Sequence, residues 1–231
     1  MTYSLIFRPQ KNDTNKNVYL HFGSHKTGST SIQMFLKKNK SYLNQNNFDI
    51  LNTFAGRNTE LSHFCLRKSI LKFTNPSLCK SKRIYKNIRF KIKLSLFFLF
   101  SKQLNFIFSD EGLDYIRTQK EINKVKSLFP ANYRIIPILI LREKREWIYS
   151  WRNYLTNLGL IDYCNKDSPY FYCDDSWYFE INRLSDLLNK NFYKVIYIDY
   201  ETNVIPPFIK SVGLEPPNNC ILRLNETKYT S

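Results

Sequence analysis

The spacing of apolar residues changes period repeatedly along the chain. Val18-Tyr-Leu-His-Phe22 is a β-rich run that stops at Gly23, and from Ser29 onward Ile32, Phe35 and Leu36 recur at helical spacing. This predicts a strand, a glycine loop and a helix. Phe48 to Leu51 reads as a short strand, and Leu61, Phe64, Leu66 and Ile70 as a helix. Leu104 to Phe108 is a clear strand, closed by Asp110-Glu111-Gly112, with a helix expected from about Glu121 to Phe129. Ile135 to Leu141 is a dense apolar strand despite Pro137, and Arg142 sits at its C-terminal end. A helix from about Lys144 to Leu158 follows, then an aromatic loop from Asp162 to Asp175. A helix from about Trp177 to Leu188 and a strand from Lys194 to Asp199 complete the alternation.

One segment supports two readings. Ile88, Phe90, Ile92, Leu94 and Leu96 alternate with Arg89, Lys91, Lys93 and Ser95, as in a strand. A strand there would form a hairpin with Leu104 to Phe108, which suits a parallel sheet poorly. A basic helix from about Ile84 to Lys102 is therefore expected, packed on the core, with a membrane surface as its alternative resting place. Strands alternating with helices imply an α/β domain with a mostly parallel sheet. No repeat or linker divides the 231 residues, so one domain is expected over 1–231. Within it, 1–16 reads as irregular, and 52–102 and 159–176 as candidate acceptor-side insertions.

The formal charge is +16, which calls for an anionic partner: a nucleotide, an acidic polysaccharide, nucleic acid or an anionic membrane surface. No recognisable nucleic-acid-binding motif is present. A solvated lysine surface that aids solubility is the plainer reading of the same excess. The five cysteines form no C-x-x-C pair, so neither a zinc site nor a full disulfide framework is expected; Cys164 and Cys173 are the one candidate pair, with free thiols as the default. The N-terminal residues lack a signal-peptide apolar region, and the longest apolar run, Leu94 to Phe100, is far short of a bilayer span, so a cytoplasmic protein is expected.

In open parallel sheets ligands bind beyond the carboxyl ends of the strands. Three chemically suggestive groups fall there: the Gly23 to Thr30 loop, Glu111 and Arg142. With only six glycines in the chain, Gly23 and Gly28 stand out, at the spacing of a phosphate-binding loop whose N–H groups cradle an anion. The nucleotide triphosphatase pattern places Lys directly after the second glycine. Here that position is Ser29, and the lysine is Lys26, inside the loop.

The arrangement H-x-G-x-x-K-T-G-[ST]-T, from His21 to Thr30 and continuing to Gln33, resembles the 5′-phosphosulfate loop of sulfotransferases dependent on 3′-phosphoadenosine-5′-phosphosulfate (PAPS), most closely the bacterial carbohydrate-type branch. Leu141-Arg142 and Ser150, eight residues on, resemble the same family's 3′-phosphate site, where an arginine's planar fork suits a phosphate. Glu111 occupies the place of a glutamate that serves as catalytic base in several glycan sulfotransferases; Asp110 competes for the role, and a helix N-terminal carboxylate is the structural alternative. The segments Ile196 to Glu201, Phe208 to Leu214 and Arg223-Leu-Asn225 resemble later family elements, and Arg223 and Lys228 are the basic residues near the C-terminal end.

The resemblance implies a P-loop NTPase-like three-layer sandwich, with a mostly parallel central sheet flanked by helices. It also implies PAPS as co-substrate, with the product 3′,5′-phosphoadenosine (PAP), and no metal. Lys26 would stabilise charge on the leaving oxygen, with Glu111 as base. Thr27, Gly28, Ser29 and Thr30 would hold the 5′-phosphate, and Arg142 and Ser150 the 3′-phosphate. His25 stands within reach of the sulfonate in that frame, a structural or solvent-facing role being its alternative; His21 is expected to be packed and hydrogen-bonded. A glycan acceptor is the expected partner, with the aromatic stretch Tyr154 to Trp177 as a sugar-stacking wall. Two other classes share these features: a P-loop kinase-like enzyme, with Asp110 or Asp199 toward magnesium, and a catalytically degenerate polyanion-binding protein.

Overall fold

The computed structural model describes residues 16–51, 59–74 and 82–217. Strand β1 (Lys16–Phe22) leads through the glycine loop into α1 (Ser29–Lys38) and α2 (Lys40–Gln45), followed by β2 (Phe48–Ile50). Helices α3 (Thr59–Cys65), α4 (Lys68–Thr74) and α5 (Lys82–Phe100) precede β3 (Asn105–Asp110), which ends in a 3-10 turn at Glu111–Tyr115. Then come α6 (Gln119–Lys126), β4 (Tyr133–Leu141), α7 (Lys144–Leu158), a 3-10 turn at Trp177–Phe179, α8 (Ile181–Asn191), β5 (Ile196–Asp199) and α9 (Ile205–Ser211).

The strands form one sheet in the order β2-β3-β1-β4-β5, and every pairing is parallel. Alternation along the strands divides the core into two layers. Val18, Leu20, Phe22, Phe106 and Phe108 face one apolar cluster with α3 to α8. Ile107, Ile138, Ile140 and Ile198 face the other, with α1 and α9. The result is an α/β sandwich of the P-loop NTPase-like class. Because β3 lies on one side of β1 and β4 on the other, the connections diverge at the carboxyl end of β1, where such sheets open a crevice.

Several element boundaries differ from the sequence expectation, for local reasons. The helix expected across Leu61 to Ile70 is two helices. Between them the backbone N–H of Arg67 donates to the buried Glu121 carboxylate at 3.0 Å rather than continuing a helical ladder, and the Arg67 guanidinium donates to the same carboxylate. Glu121 is also the third residue of α6, where it forms a reciprocal capping box with Thr118, so α6 starts earlier than expected and is over by Lys126. The helix expected from Trp177 is a 3-10 turn first, capped by Ser176, and α8 begins only at Ile181. In the ambiguous segment the helix holds: Phe90, Leu94 and Phe98, four apart, form its buried face. Pro137 is tolerated because β5 joins β4 one residue later, at Ile138, leaving that point of the strand bonded on one side only. Residues 59–74 and 82–100 contribute Leu61, Leu71 and Phe90, among others, to the core. Cys164 and Cys173 are free thiols. The irregular reading of 1–15, and parts of the candidate insertion at 52–58 and 75–81, lie outside the described residues.

Candidate functional site

The chain leaves β1 at Phe22 and turns through Gly23 to Gly28 before α1 begins. Gly28 caps the helix at φ 79°, and a Cβ there would lie 2.6 Å from Val204 Cγ1. At Gly23 a Cβ would meet Ser29 Oγ at 2.6 Å. Both glycines are thus required by close approach, and Gly28 by its left-handed backbone as well. Thr27 Oγ1 and Ser29 Oγ both donate to the Ser24 carbonyl, at 2.6 and 3.2 Å, which draws the loop into a closed turn. The first bonded amide of α1 is that of Ile32, to the Gly28 carbonyl at 3.1 Å. The amides of Ser29, Thr30 and Ser31 ahead of it have no acceptor among the described residues, which is the usual donor array of a helix end.

Lys26 also takes a left-handed backbone, with φ 66°. For a side chain with a Cβ this costs roughly 1–2 kcal/mol, and such strain persists only where neighbours hold it. Here Arg142 Nη1 donates to the Lys26 carbonyl at 2.9 Å, and Trp147 Nε1 donates to the His25 carbonyl at 2.9 Å. The end of β4 and the start of α7 therefore clamp the loop from outside. The Lys26 ammonium lies 5.3 Å from the centroid of the Tyr154 ring. Its pKa is lowered, first by burial and then by the nearby Arg142, against the pull of Glu111.

On α7, Glu146, Ser150 and Tyr154 follow one another at four-residue intervals, a spacing that puts neighbours on one helix face, and Arg142 stands just ahead of the helix. Arg142 Nε pairs with Glu146 at 3.5 Å, and the guanidinium lies 4.6 Å from the Tyr200 ring centroid. Arg142 and Tyr154 both touch Lys26. The loop, Arg142 and Tyr154 are thus brought together, and Ser150 stands half-buried on α7.

Glu111 and Asp110, adjacent in sequence, have different surroundings. Asp110 is fully buried; its Oδ2 accepts from Ser62 N–H at 2.7 Å and its Oδ1 from Gly112 N–H at 2.9 Å. Burial pushes its carboxyl up to about 7, against those hydrogen bonds. Glu111 is half-buried, and its charge acts on both Lys26 and His25. Of the two carboxylates, Glu111 is the one with access to solvent at the loop.

His25 turns its ring away from a purely solvent position. Its Nδ1 lies 3.0 Å from Tyr178 Oη and 3.3 Å from Asp114 Oδ2, its backbone N–H donates to the same carboxylate oxygen at 3.3 Å, and its ring packs 4.7 Å from Trp151. Tyr178 Oη donates to Asp114 at 2.6 Å. Burial opposes a charge on His25 most strongly, but Asp114, Glu111 and Asp110 together carry its pKa above the ordinary imidazole value. His21 is buried against Phe208 with Nδ1 2.8 Å from Ser109 Oγ, and burial lowers its pKa to about 3. The sequence reading missed Asp114, Tyr178, Trp147 and Ser24. Ser24 is 2% exposed, and its Oγ has no partner among the described residues.

Ser24, Thr27, Arg142 and Trp147 line a cavity of about 20 Å³, room for about one water molecule. A larger cavity of about 400 Å³ lies at the opposite, amino end of the strands, bordered by Asn17, Phe129, Arg134 and Lys194. Its size does not make it the site, because none of the groups described above line it. Among the described residues no group of three or more His, Cys, Asp or Glu side chains is placed to hold a metal ion, and no helix is long and apolar enough to cross a membrane. Arg223, Asn225 and Lys228 lie outside the described residues.

No protein-family model matches the sequence, and no curated protein matches it. Among solved structures, the chain is similar to a sulfotransferase from Alicyclobacillus acidocaldarius, with a TM-score of 0.53 and 11% identity over 87% of this chain and 82% of that one. The likeness is one of fold. A second match, to the PezAT chromosomal toxin-antitoxin system of Streptococcus pneumoniae, has a TM-score of 0.37 at 19% identity over 82% of this chain and 71% of that one, too low a score to bear on the reading.

Proposed function

We propose that the chain is a sulfotransferase of the bacterial carbohydrate type, which moves a sulfuryl group from PAPS to a hydroxyl or amine acceptor on a carbohydrate or polysaccharide.

 The observation that carries this reading is the loop lysine. Lys26 sits inside the turn, clamped through its own carbonyl by Arg142, with its ammonium within the electrostatic reach of Glu111. Two further features support the fit of an anionic donor: the buried, unpartnered Ser24 hydroxyl, and the amides of Ser29, Thr30 and Ser31 at the start of α1, which have no acceptor among the described residues. The sulfotransferase-like fold is consistent with it.

In this scheme PAPS supplies an activated sulfuryl group on its 5′-phosphate. The Ser24 hydroxyl and the amides of Ser29, Thr30 and Ser31 donate to the 5′-phosphate oxygens beside Gly28, while the Thr27 and Ser29 hydroxyls hold the loop closed on the Ser24 carbonyl or turn from it to the phosphate. Arg142 and Ser150 receive the 3′-phosphate. The Arg142 fork then exchanges its bond to the Lys26 carbonyl, or its pairing with Glu146, for the phosphate. An acceptor hydroxyl attacks sulfur in line; the new O–S bond forms as the bond from sulfur to the phosphate oxygen breaks, and PAP departs with that electron pair. Glu111 accepts the hydroxyl proton, and Lys26 places its positive charge beside the departing oxygen. His25 holds the loop through Asp114 and Tyr178. Exposed tyrosines support a sugar acceptor: Tyr163 and Tyr172 lie 5.3 Å apart between ring centroids, with Tyr154 beside Lys26 on α7.

The test is transfer of labelled sulfate from PAPS to a panel of glycans. Lys26→Ala and Glu111→Ala are expected to reduce turnover by about 100-fold or more while the protein stays folded by circular dichroism. Near-normal turnover in the Glu111 variant would remove it from the role of base; near-normal turnover in the Lys26 variant would remove the scheme.

A further inference from the structure

Helix α5 has two apolar faces. Phe90, Leu94 and Phe98 are buried against the sheet, while Ile88, Ile92, Leu96, Leu99 and Phe100 are 53%, 54%, 47%, 61% and 75% exposed. At about 100° per residue, the exposed set falls within roughly a third of the helix circumference. Elsewhere among the described residues, the exposed large aliphatic or phenylalanine side chains are Leu158 and Leu160; the rest are tyrosines. An exposed apolar stripe so concentrated marks an interaction surface.

The charges around the stripe say what covers it. The helix carries Lys82, Arg83, Lys86, Arg89, Lys91 and Lys93 and no acidic residue. Lys86, Arg89 and Lys91 are exposed, and the same rotation sets Lys86 and Lys93 along one border of the stripe and Lys91 along the other. Lys93 pairs with Glu60 at 3.2 Å, and Lys91 lies 5.0 Å from the Phe64 ring centroid, so α5 is anchored to α3. A second copy of the chain would bring Lys86, Arg89 and Lys91, for which no acidic partner stands among the described residues, against the same cations. A bilayer with anionic headgroups accepts both the apolar stripe and its basic border.

We propose that this face of α5 docks on an anionic lipid surface, with Ile88, Ile92, Leu96, Leu99 and Phe100 entering the headgroup–acyl boundary and the bordering lysines and Arg89 contacting lipid phosphates. The helix lies on the bilayer and does not cross it. The same α3 that pairs with Lys93 also donates its Ser62 amide to Asp110, next to Glu111. The proposal stands on the helix alone and does not depend on the identity of the donor.

Co-sedimentation of the full chain with vesicles tests it, using phosphatidylcholine alone and phosphatidylcholine mixed with phosphatidylglycerol. The chain is expected to bind the mixed vesicles and not the neutral ones, and binding is expected to weaken as salt rises. Ile92→Gln with Leu96→Gln leaves the net charge unchanged and is expected to lower binding on the order of tenfold; Ile88→Gln with Leu99→Gln is expected to do the same. In the unsubstituted chain, hydrogen exchange across residues 86–100 is expected to slow on the mixed vesicles. Binding unchanged in both folded variants would assign it to overall charge and overturn the proposal. So would unaltered exchange at 86–100, or a dimer in solution that the Ile92/Leu96 variant converts to monomer.

Discussion

Ser24 and Asp110 are both buried polar residues at the carboxyl end of the sheet, and they carry opposite obligations. The Ser24 hydroxyl has no protein partner among the described residues, so removing it leaves no orphan behind. Ser24→Ala is therefore expected to be neutral or slightly stabilising in thermal melting, yet to weaken PAP binding by about tenfold or more, the worth of a hydrogen bond to a charged group. A wild-type affinity in this variant would mean that the hydroxyl faces no phosphate. Asp110, by contrast, holds the Ser62 and Gly112 amides, and Asp110→Asn turns one acceptor into a donor against an N–H, at about 1–3 kcal/mol.

The pH dependence of Asp110 has a definite sign. Its folded pKa, about 7, lies above the unfolded value of 3.8, so the folded state binds the proton more tightly. That contribution to stability is fully present below the unfolded pKa and is lost as pH rises through about 7. The stability of the unsubstituted chain relative to Asp110→Asn should thus decline between these pH values, measured by denaturant unfolding at a series of pH. A rising difference would place the Asp110 pKa below its ordinary value. At this scale the loop's residues were legible because their types and spacing are themselves the motif. Asp114 and Tyr178, 64 residues apart and both on His25, were not, since only the fold brings them together.

At the scale of elements, two left-handed glycines separate backbone strain from close approach. Gly159 ends α7 at φ 63° with open space where a Cβ would stand, whereas Gly28 begins α1 with Val204 in contact. Gly159→Ala is expected to cost about 1–2 kcal/mol in chemical denaturation, from the backbone alone. Gly28→Ala adds the clash with Val204 and should cost more, and it should also abolish PAP binding by displacing the loop. Equal effects of the two substitutions on stability and binding would deny Gly28 its special place. The alternation of periods revealed the strands of the sheet and the glycine loop, because buried parallel strands and amphipathic helices have distinct signatures. The break between α3 and α4 was hidden, since it depends on Arg67 meeting Glu121 from a distant helix. The late start of α8 was hidden too, because Tyr178 is drawn toward Asp114.

For the whole molecule, parallel pairing in the order β2-β3-β1-β4-β5 brings the loop after β1, the carboxylates after β3 and Arg142 after β4 to one end of the sheet. Strand alternation alone does not give that order; it predicts the sheet but not which strands are neighbours. The net charge of +16 adds a long-range attraction for anionic ligands, without specifying which anion is bound. The nucleotide discriminates best, because the proposed site needs a 3′-phosphate and does not need magnesium. Thermal melting with PAP, with ATP and magnesium, and without ligand is therefore the most direct measurement. PAP at about 100 times its dissociation constant is expected to stabilise the chain by about 2.7 kcal/mol, a rise of roughly 5–10 °C, with a much smaller rise in Arg142→Ala. Magnesium-dependent stabilisation by ATP, with no response to PAP, would contradict the account.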